Sequence, residues 1–296
     1  MIATPLPVRA PNIPAPISET CAPAVALPPL ATDCHAHIFG PQARFPLLPE
    51  THFIPHEAPL ASYLAMLRKL GCERAVLVQP SVYGTDNSAI EEALQSQEFA
   101  LRGVAVVSES VSDAELERLH ALGFRGIRIN TASGTPGLRL EHAKRLAERI
   151  KHLGWHLQFY ANFREQPHLE TELAKLPVTV VIDHFGRVLA SEGLGSPAFQ
   201  AVCRLLSRDN FYAKLIGPYF ISDLSPGFAD VAPFARAMIE TAPDRIVWGT
   251  DWPHPSAREK MPNDGDLADL LVDWAPDAAQ RHKILVENPQ VLYGFS

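Results

Sequence analysis

The feature that most constrains this chain is a change of hydrophobic period that recurs along its length. Short runs rich in β-branched residues alternate with longer stretches of helical spacing. The runs predict strands near 31–34, 75–78, 103–107, 126–129, 156–160, 178–182, 211–215 and 246–248. The stretches between them predict helices near 58–70, 113–122, 140–153, 197–206, 230–241 and 264–274. Strands separated by helices imply a parallel sheet. An open doubly wound sheet alternates in the same way. However, no GxGxxG or GxxxxGK[ST] motif follows the first strand, which removes support for its nucleotide-binding forms. Eight strand candidates favour closure into a single-domain (β/α)8 TIM barrel of the α/β class, and 296 residues suit a fold that needs about 250.

Composition bounds the rest. A hydrophobic content of 47% supplies a large core, and 20% charged residues fit a soluble surface. The net charge of −7, with no basic stripe, argues against nucleic acid or an anionic membrane as partner. Cys21, Cys34, Cys72 and Cys203 show no CxxC spacing, so they read as reduced thiols in a cytoplasmic protein. Residues 1–30 carry eight prolines and no basic n-region with a continuous apolar run; they read as an extended N-terminal arm rather than a signal peptide. No stretch approaches the roughly 20 apolar residues of a membrane span. The barrel is expected over 31–296, with 282–295 as a closing helix interrupted at Asn288-Pro289.

Polar residues collect at the C-terminal ends of the predicted strands, the face on which barrel active sites form. His35 and His37 follow the first strand, and a spacing of two in extended chain points both imidazoles the same way. Ser81 follows the second, Arg128 and Asn130 end the fourth, and Tyr160 ends the fifth. Asp183-His184 end the sixth, Lys214 the seventh and Asp251 the eighth. Each alone has an ordinary structural reading: a hydrogen-bonded pair, a core aromatic, a loop cap. One polar group at most of eight strand ends points instead to a reaction centre.

These residues resemble a family. Thr32-Asp33-Cys34-His35-Ala36-His37 is similar to the first-strand motif of the amidohydrolase superfamily. Val78-Gln79-Pro80-Ser81, Gly126-Ile127-Arg128, Val181-Ile182-Asp183-His184-Phe185-Gly186-Arg187 and Gly249-Thr250-Asp251-Trp252-Pro253-His254 extend the match toward its 2-pyrone-4,6-dicarboxylate lactonase-like group. The resemblance implies a (β/α)8 fold and hydrolysis of a lactone, a cyclic carboxylic ester. Many members of the superfamily hold divalent ions through the first-strand histidines, a fourth-strand lysine or glutamate, histidines on strands five and six, and the eighth-strand aspartate. Here the fourth strand offers Arg128 and the fifth Tyr160, so no metal is expected to be required. A weakly held zinc ion would fall to His35, His37 and Asp251, with His184 near.

The resemblance further implies that Asp251 is the general base for an attacking water. His35, His37 and His184 would then hydrogen-bond the carbonyl oxygen. Arg128 suits a substrate carboxylate because its planar fork binds carboxylates bidentately, although a structural ion pair is an equal alternative. Tyr160, Ser81 and Asn130 would orient other polar groups. Members that handle dicarboxylates carry further arginines after strands four and seven, where this chain reads Thr131-Ala132-Ser133-Gly134 and Gly217-Pro218-Tyr219-Phe220. The expected partner is therefore a small lactone with at most one carboxylate, less polar toward Tyr219 and Phe220. Competing readings on the same scaffold are a lactone isomerase, a zinc-dependent decarboxylase and a non-catalytic binding barrel.

Overall fold

The structure, a computed structural model, describes residues 10–131 and 139–296. Eight strands run in sequence order and pair in parallel: β1 Thr32–Ala36, β2 Arg74–Val78, β3 Ala100–Ala105, β4 Phe124–Asn130, β5 His156–Tyr160, β6 Val180–Ile182, β7 Phe211–Leu215 and β8 Ile246–Trp248. A bridge from Ala36 to Trp252 joins the last strand's extension to the first. The (β/α)8 barrel is thereby closed, and the eight predicted strands are all present. Crossover helices pack outside it: α1 Leu60–Leu70, α2 Ser88–Leu94, α3 Asp113–Leu122, α4 Leu140–Ile150, α5 Leu169–Leu173, α6 Pro197–Leu206, α7 Ala232–Thr241 and α8 Asp264–Trp274. The helices α2 and α5 escape the sequence pattern because they span only 7 and 5 residues, too short for a repeated apolar stripe. Capping fixes where several helices begin. The side chains of Ser112, Ser196 and Asn263 accept hydrogen bonds from Glu115 N, Phe199 N and Gly265 N, respectively.

Strands buried on both faces explain the continuous apolar runs. Their outer side chains meet the helices in one large core, whereas Cys34, Val76, Val78, Val104, Val181, Tyr212 and Val247 form a smaller cluster with Leu292, Tyr293 and Phe295 from the C-terminus. The closing segment differs from expectation. Asn288-Pro289 does not break it: α9 Ala278–His282 runs into a widened π turn, Lys283–Glu287, and on into α10 Asn288–Tyr293. Pro289 sits in the first turn of α10, directly after the π turn. Beyond that helix Phe295 is flanked by the guanidinium groups of Arg74 and Arg102, 5.1 and 4.8 Å from the ring centre.

The described part of the arm, 10–30, carries no helix and lies on the barrel. Ile13 N donates to Ile54 O at 3.0 Å, Cys21 N to Asn263 Oδ1 at 2.9 Å and Ala24 N to Asp269 Oδ1 at 2.7 Å. Residues 1–9 lie outside the described chain. No helix among the described residues is long and apolar enough to cross a membrane.

Candidate active site

The C-terminal face of the barrel gathers the predicted residues, and the first strand shows how. Its register with β2 shifts between Asp33 and Ala36. Such an irregularity re-aims side chains near a site. Asp33 is directed away from the reaction centre into a buried clasp. It accepts from His35 N (3.1 Å) and Thr250 N (3.0 Å) on one oxygen, and from Tyr63 Oη (2.9 Å) and Thr250 Oγ1 (2.6 Å) on the other. The β8-to-β1 seam is made by the site itself: Asp251 N donates to His35 O at 2.8 Å and His37 N to Trp252 O at 2.7 Å. Gly249 is required there, because a Cβ would stand 2.6 Å from His35 N. Asp251 (φ 65°), His184 (φ 49°) and His254 (φ 59°) occupy left-handed backbone, a conformation that costs non-glycine residues and clusters at functional sites.

Asp251 is the centre of the arrangement. Its Oδ1 lies 3.6 Å from His35 Nε2, 3.7 Å from His37 Nε2 and 4.0 Å from His184 Nε2. Its Oδ2 accepts a hydrogen bond from the Tyr219 hydroxyl. Burial raises the Asp251 carboxyl to about 7, against the opposing pull of Tyr219, His254 and Arg128. Burial likewise keeps the imidazoles neutral: His37 falls to about 3, and His35 and His184 go well below their usual range. A carboxylate that titrates near neutrality beside three neutral imidazoles is an arrangement suited to general-base chemistry.

A second polar layer lies beneath. Lys214, wholly buried, donates to Cys34 O (2.8 Å) and Gln158 Oε1 (2.7 Å) and stands 3.3 Å from His35 Nδ1. Gln158 Nε2 donates in turn to Asp183 Oδ2 at 2.9 Å. Burial lowers Lys214 to about 8, so it remains an ammonium at pH 7. Arg128 is loosely paired with Asp183 (Nε to Oδ2 3.6 Å), donates to Gln79 O at 3.3 Å, and leaves its buried Nε without a hydrogen bond.

Above the carboxylate a cavity of about 160 Å³ is lined by His37, Ser81, Arg128, Asn130, Tyr160, His184 and Asp251. His35 lies just behind that wall. The remainder of the lining comes from residues that the strand pattern does not mark: His52 and Phe53 before α1, Pro80 after β2, Phe220 after β7, and Pro255 and Ser256 after β8. Two further residues take part in contacts that their positions in the sequence do not show. Tyr219, expected as an apolar wall, contacts Asp251 through its hydroxyl; the signal was that a buried tyrosine needs a partner. Arg187 donates to the Tyr160 hydroxyl at 3.0 Å, so Tyr160 enters the site already engaged. Most of the 131–134 stretch lies outside the described residues.

His35, His184 and Asp251 each offer a ligand atom within 4.8 Å of one another and could together hold an ion. This set differs from the expected one in placing His184, rather than His37, within ligand distance of the other two. A ligand histidine ordinarily donates its second nitrogen to a carbonyl or carboxylate. His37 does so, with Nδ1 2.7 Å from Val78 O. The second nitrogen of His35 instead faces the Lys214 ammonium.

Comparison with known proteins gives the family and the fold. The amidohydrolase family model matches residues 32–295. The chain belongs to the amidohydrolase family. Among curated members, a 2-pyrone-4,6-dicarboxylate hydrolase of Comamonas testosteroni is 39% identical over 92% of this chain and 92% of its own. A 4-sulfomuconolactone hydrolase of Hydrogenophaga intermedia is 35% identical over 90% of each. A crystal structure of an Agrobacterium tumefaciens protein superposes with a TM-score of 0.84 at 30% identity, covering 93% of this amidohydrolase and 99% of the other chain.

Proposed function

We propose that this amidohydrolase is a lactonase that opens the ring of a small anionic lactone with water, using Asp251 as general base and no metal ion. The observation that carries the reading is the Asp251 carboxylate, held through Oδ2 by Tyr219 with Oδ1 directed at three neutral imidazoles. The two curated relatives described above, both lactone hydrolases by name, support the reaction class. Asp251 accepts a proton as water adds to the ring carbonyl, the oxyanion is met by imidazole N–H donors, and the protonated acid returns its proton to the departing ring oxygen. Each oxyanion donor is worth about 10²–10³ in kcat. A divalent ion fits the site poorly. Two cations, Arg128 and Lys214, stand beside the His-His-Asp set, and His35 has a cation where a metal ligand has an acceptor.

Arg128 receives the substrate carboxylate. Among the described residues it is the guanidinium that lines the cavity. A second carboxylate would be buried unpaired at a cost of several kcal/mol. The test is a panel of neutral, monocarboxylate and dicarboxylate lactones followed by proton release, with metal content measured on the same protein. Monocarboxylates are expected to be opened best. Hydrolysis of no lactone would overturn the reaction, stoichiometric zinc essential for turnover would overturn the metal-free route, and a dicarboxylate turned over at about 10⁵ M⁻¹s⁻¹ or more would overturn the substrate class. Arg128→Met should raise KM for carboxylates far more than for neutral lactones.

A further inference from the structure

The buried Lys214 has no part in the reaction so far described, yet its surroundings assign protons to the histidines. An ammonium has three N–H donors and no lone pair. Two of them go to Cys34 O and Gln158 Oε1, and the nearest remaining acceptor is His35 Nδ1 at 3.3 Å. The Gln158 amide cannot be reversed, since its other end donates to Asp183 Oδ2 at 2.9 Å. Asp183 Oδ1 is the rival partner for His35 Nδ1, but at 3.6 Å it lies beyond hydrogen-bond reach. A neutral ring that accepts at Nδ1 carries its proton on Nε2. His37 is held in the opposite sense: its Nδ1 lies 2.7 Å from the carbonyl oxygen of Val78, which can only accept, so its proton is on Nδ1 and Nε2 is a lone pair. Both Nε2 atoms face the same carboxylate oxygen, at 3.6 and 3.7 Å.

We propose that the two histidines work as opposite tautomers, His35 as a donor to the carbonyl oxygen and His37 as an acceptor for the attacking water, with Lys214 the positioning residue that holds His35 in its form. This rests on the lactonase reading for its substrate but not for its geometry. One water proton goes to Asp251 Oδ1 as the O–C bond forms, while the other is held by His37 Nε2. The carbonyl π pair moves onto an oxygen that accepts from His35 Nε2–H. When that pair returns, the ring C–O bond breaks and the Asp251 proton passes to the leaving oxygen. His37 therefore leaves the oxyanion set, and His35 carries that role with His184.

The test reads tautomers directly, by two-bond ¹⁵N–¹H correlation on histidine-labelled resting protein at pH 7, the rings assigned through His35→Gln and His37→Gln. His35 is expected protonated on Nε2 and His37 on Nδ1. Either ring in the other form overturns the proposal. In Lys214→Met the His35 preference should be lost and that of His37 kept, with kcat lowered about 10²–10³-fold and KM within a few-fold; unchanged kcat overturns the positioning role. If that variant does not fold, the spectrum of the unaltered protein still decides the tautomers. A chain with these tautomers that opens no lactone removes the reaction and leaves the proton assignment. A working lactonase with either tautomer reversed does the opposite.

Discussion

At the scale of single residues, the site is an exercise in making one carboxylate basic. Asp251 is lifted to about 7 by burial, and Tyr219, His254 and Arg128 hold it from rising further. If it is the base, it must be ionised to act, so kcat/KM should fall tenfold per pH unit below an apparent value near 7 and level off between there and about 8, where Lys214 begins to lose its proton. A steady-state pH profile checks this. Asp251→Asn should remove activity by about 10²–10⁴-fold while circular dichroism stays unchanged. Tyr219→Phe removes a hydrogen bond that favours the charged form, so the acid limb should move to higher pH; a limb that stays put would show that Tyr219 does not tune the base. The histidines and Asp251 were legible in the sequence, because imidazoles and carboxylates at strand ends have few ordinary explanations in such numbers. Tyr219 was not, because an aromatic in a loop carries no mark of where its hydroxyl lies.

At the scale of elements, the chemistry depends on how β1 and β8 meet. Asp33 ties His35 N to Thr250, and Gly249 lets the two chains approach. Gly249→Ala places a methyl 2.6 Å from His35 N, against backbone that cannot yield cheaply. The expected cost is about 1–3 kcal/mol of stability by chemical denaturation. Loss of kcat should accompany it, since His35 moves with the strand. Strand positions were readable from period, because strands buried on both faces must be continuously apolar. The short helices α2 and α5 and the loop carrying His52 and Phe53 were not. Their placement follows from what they pack on, Ile13 pairing with Ile54 beside those two residues being one instance.

For the whole molecule, burying so many ionisable groups has a consequence for stability. His35, His37, His156 and His184 are all held neutral by burial, below their ordinary range. In the unfolded chain they bind protons as the pH falls through about 6.5, and in the native chain they do not. Asp33 and Asp251 act in the other direction, since burial raises them to about 6 and about 7, so the native state holds their protons first. Four histidines against two carboxyls leave the unfolded state binding about two protons more near pH 5. Stability should therefore decline on acidification below about pH 6.5, by up to about 3 kcal/mol per unit. Urea midpoints measured from pH 7 to pH 5 check the sign, and a midpoint that rises on acidification would refute it.

The sequence by itself determined the alternation of strand and helix, the eightfold count, the family, and the strand ends at which polar side chains stand. These are local properties: period, residue type and motif survive in any conformation of the chain. Tertiary structure alone decided which neighbours those side chains meet. Lys214 and His35 are separated by 179 residues and stand 3.3 Å apart only because β1 and β7 lie two strands apart around a closed barrel. The direction of a hydrogen bond, the dryness that makes Asp251 basic and the proton on each imidazole belong to that closure, because all three depend on what surrounds a group and not on what precedes it in the chain.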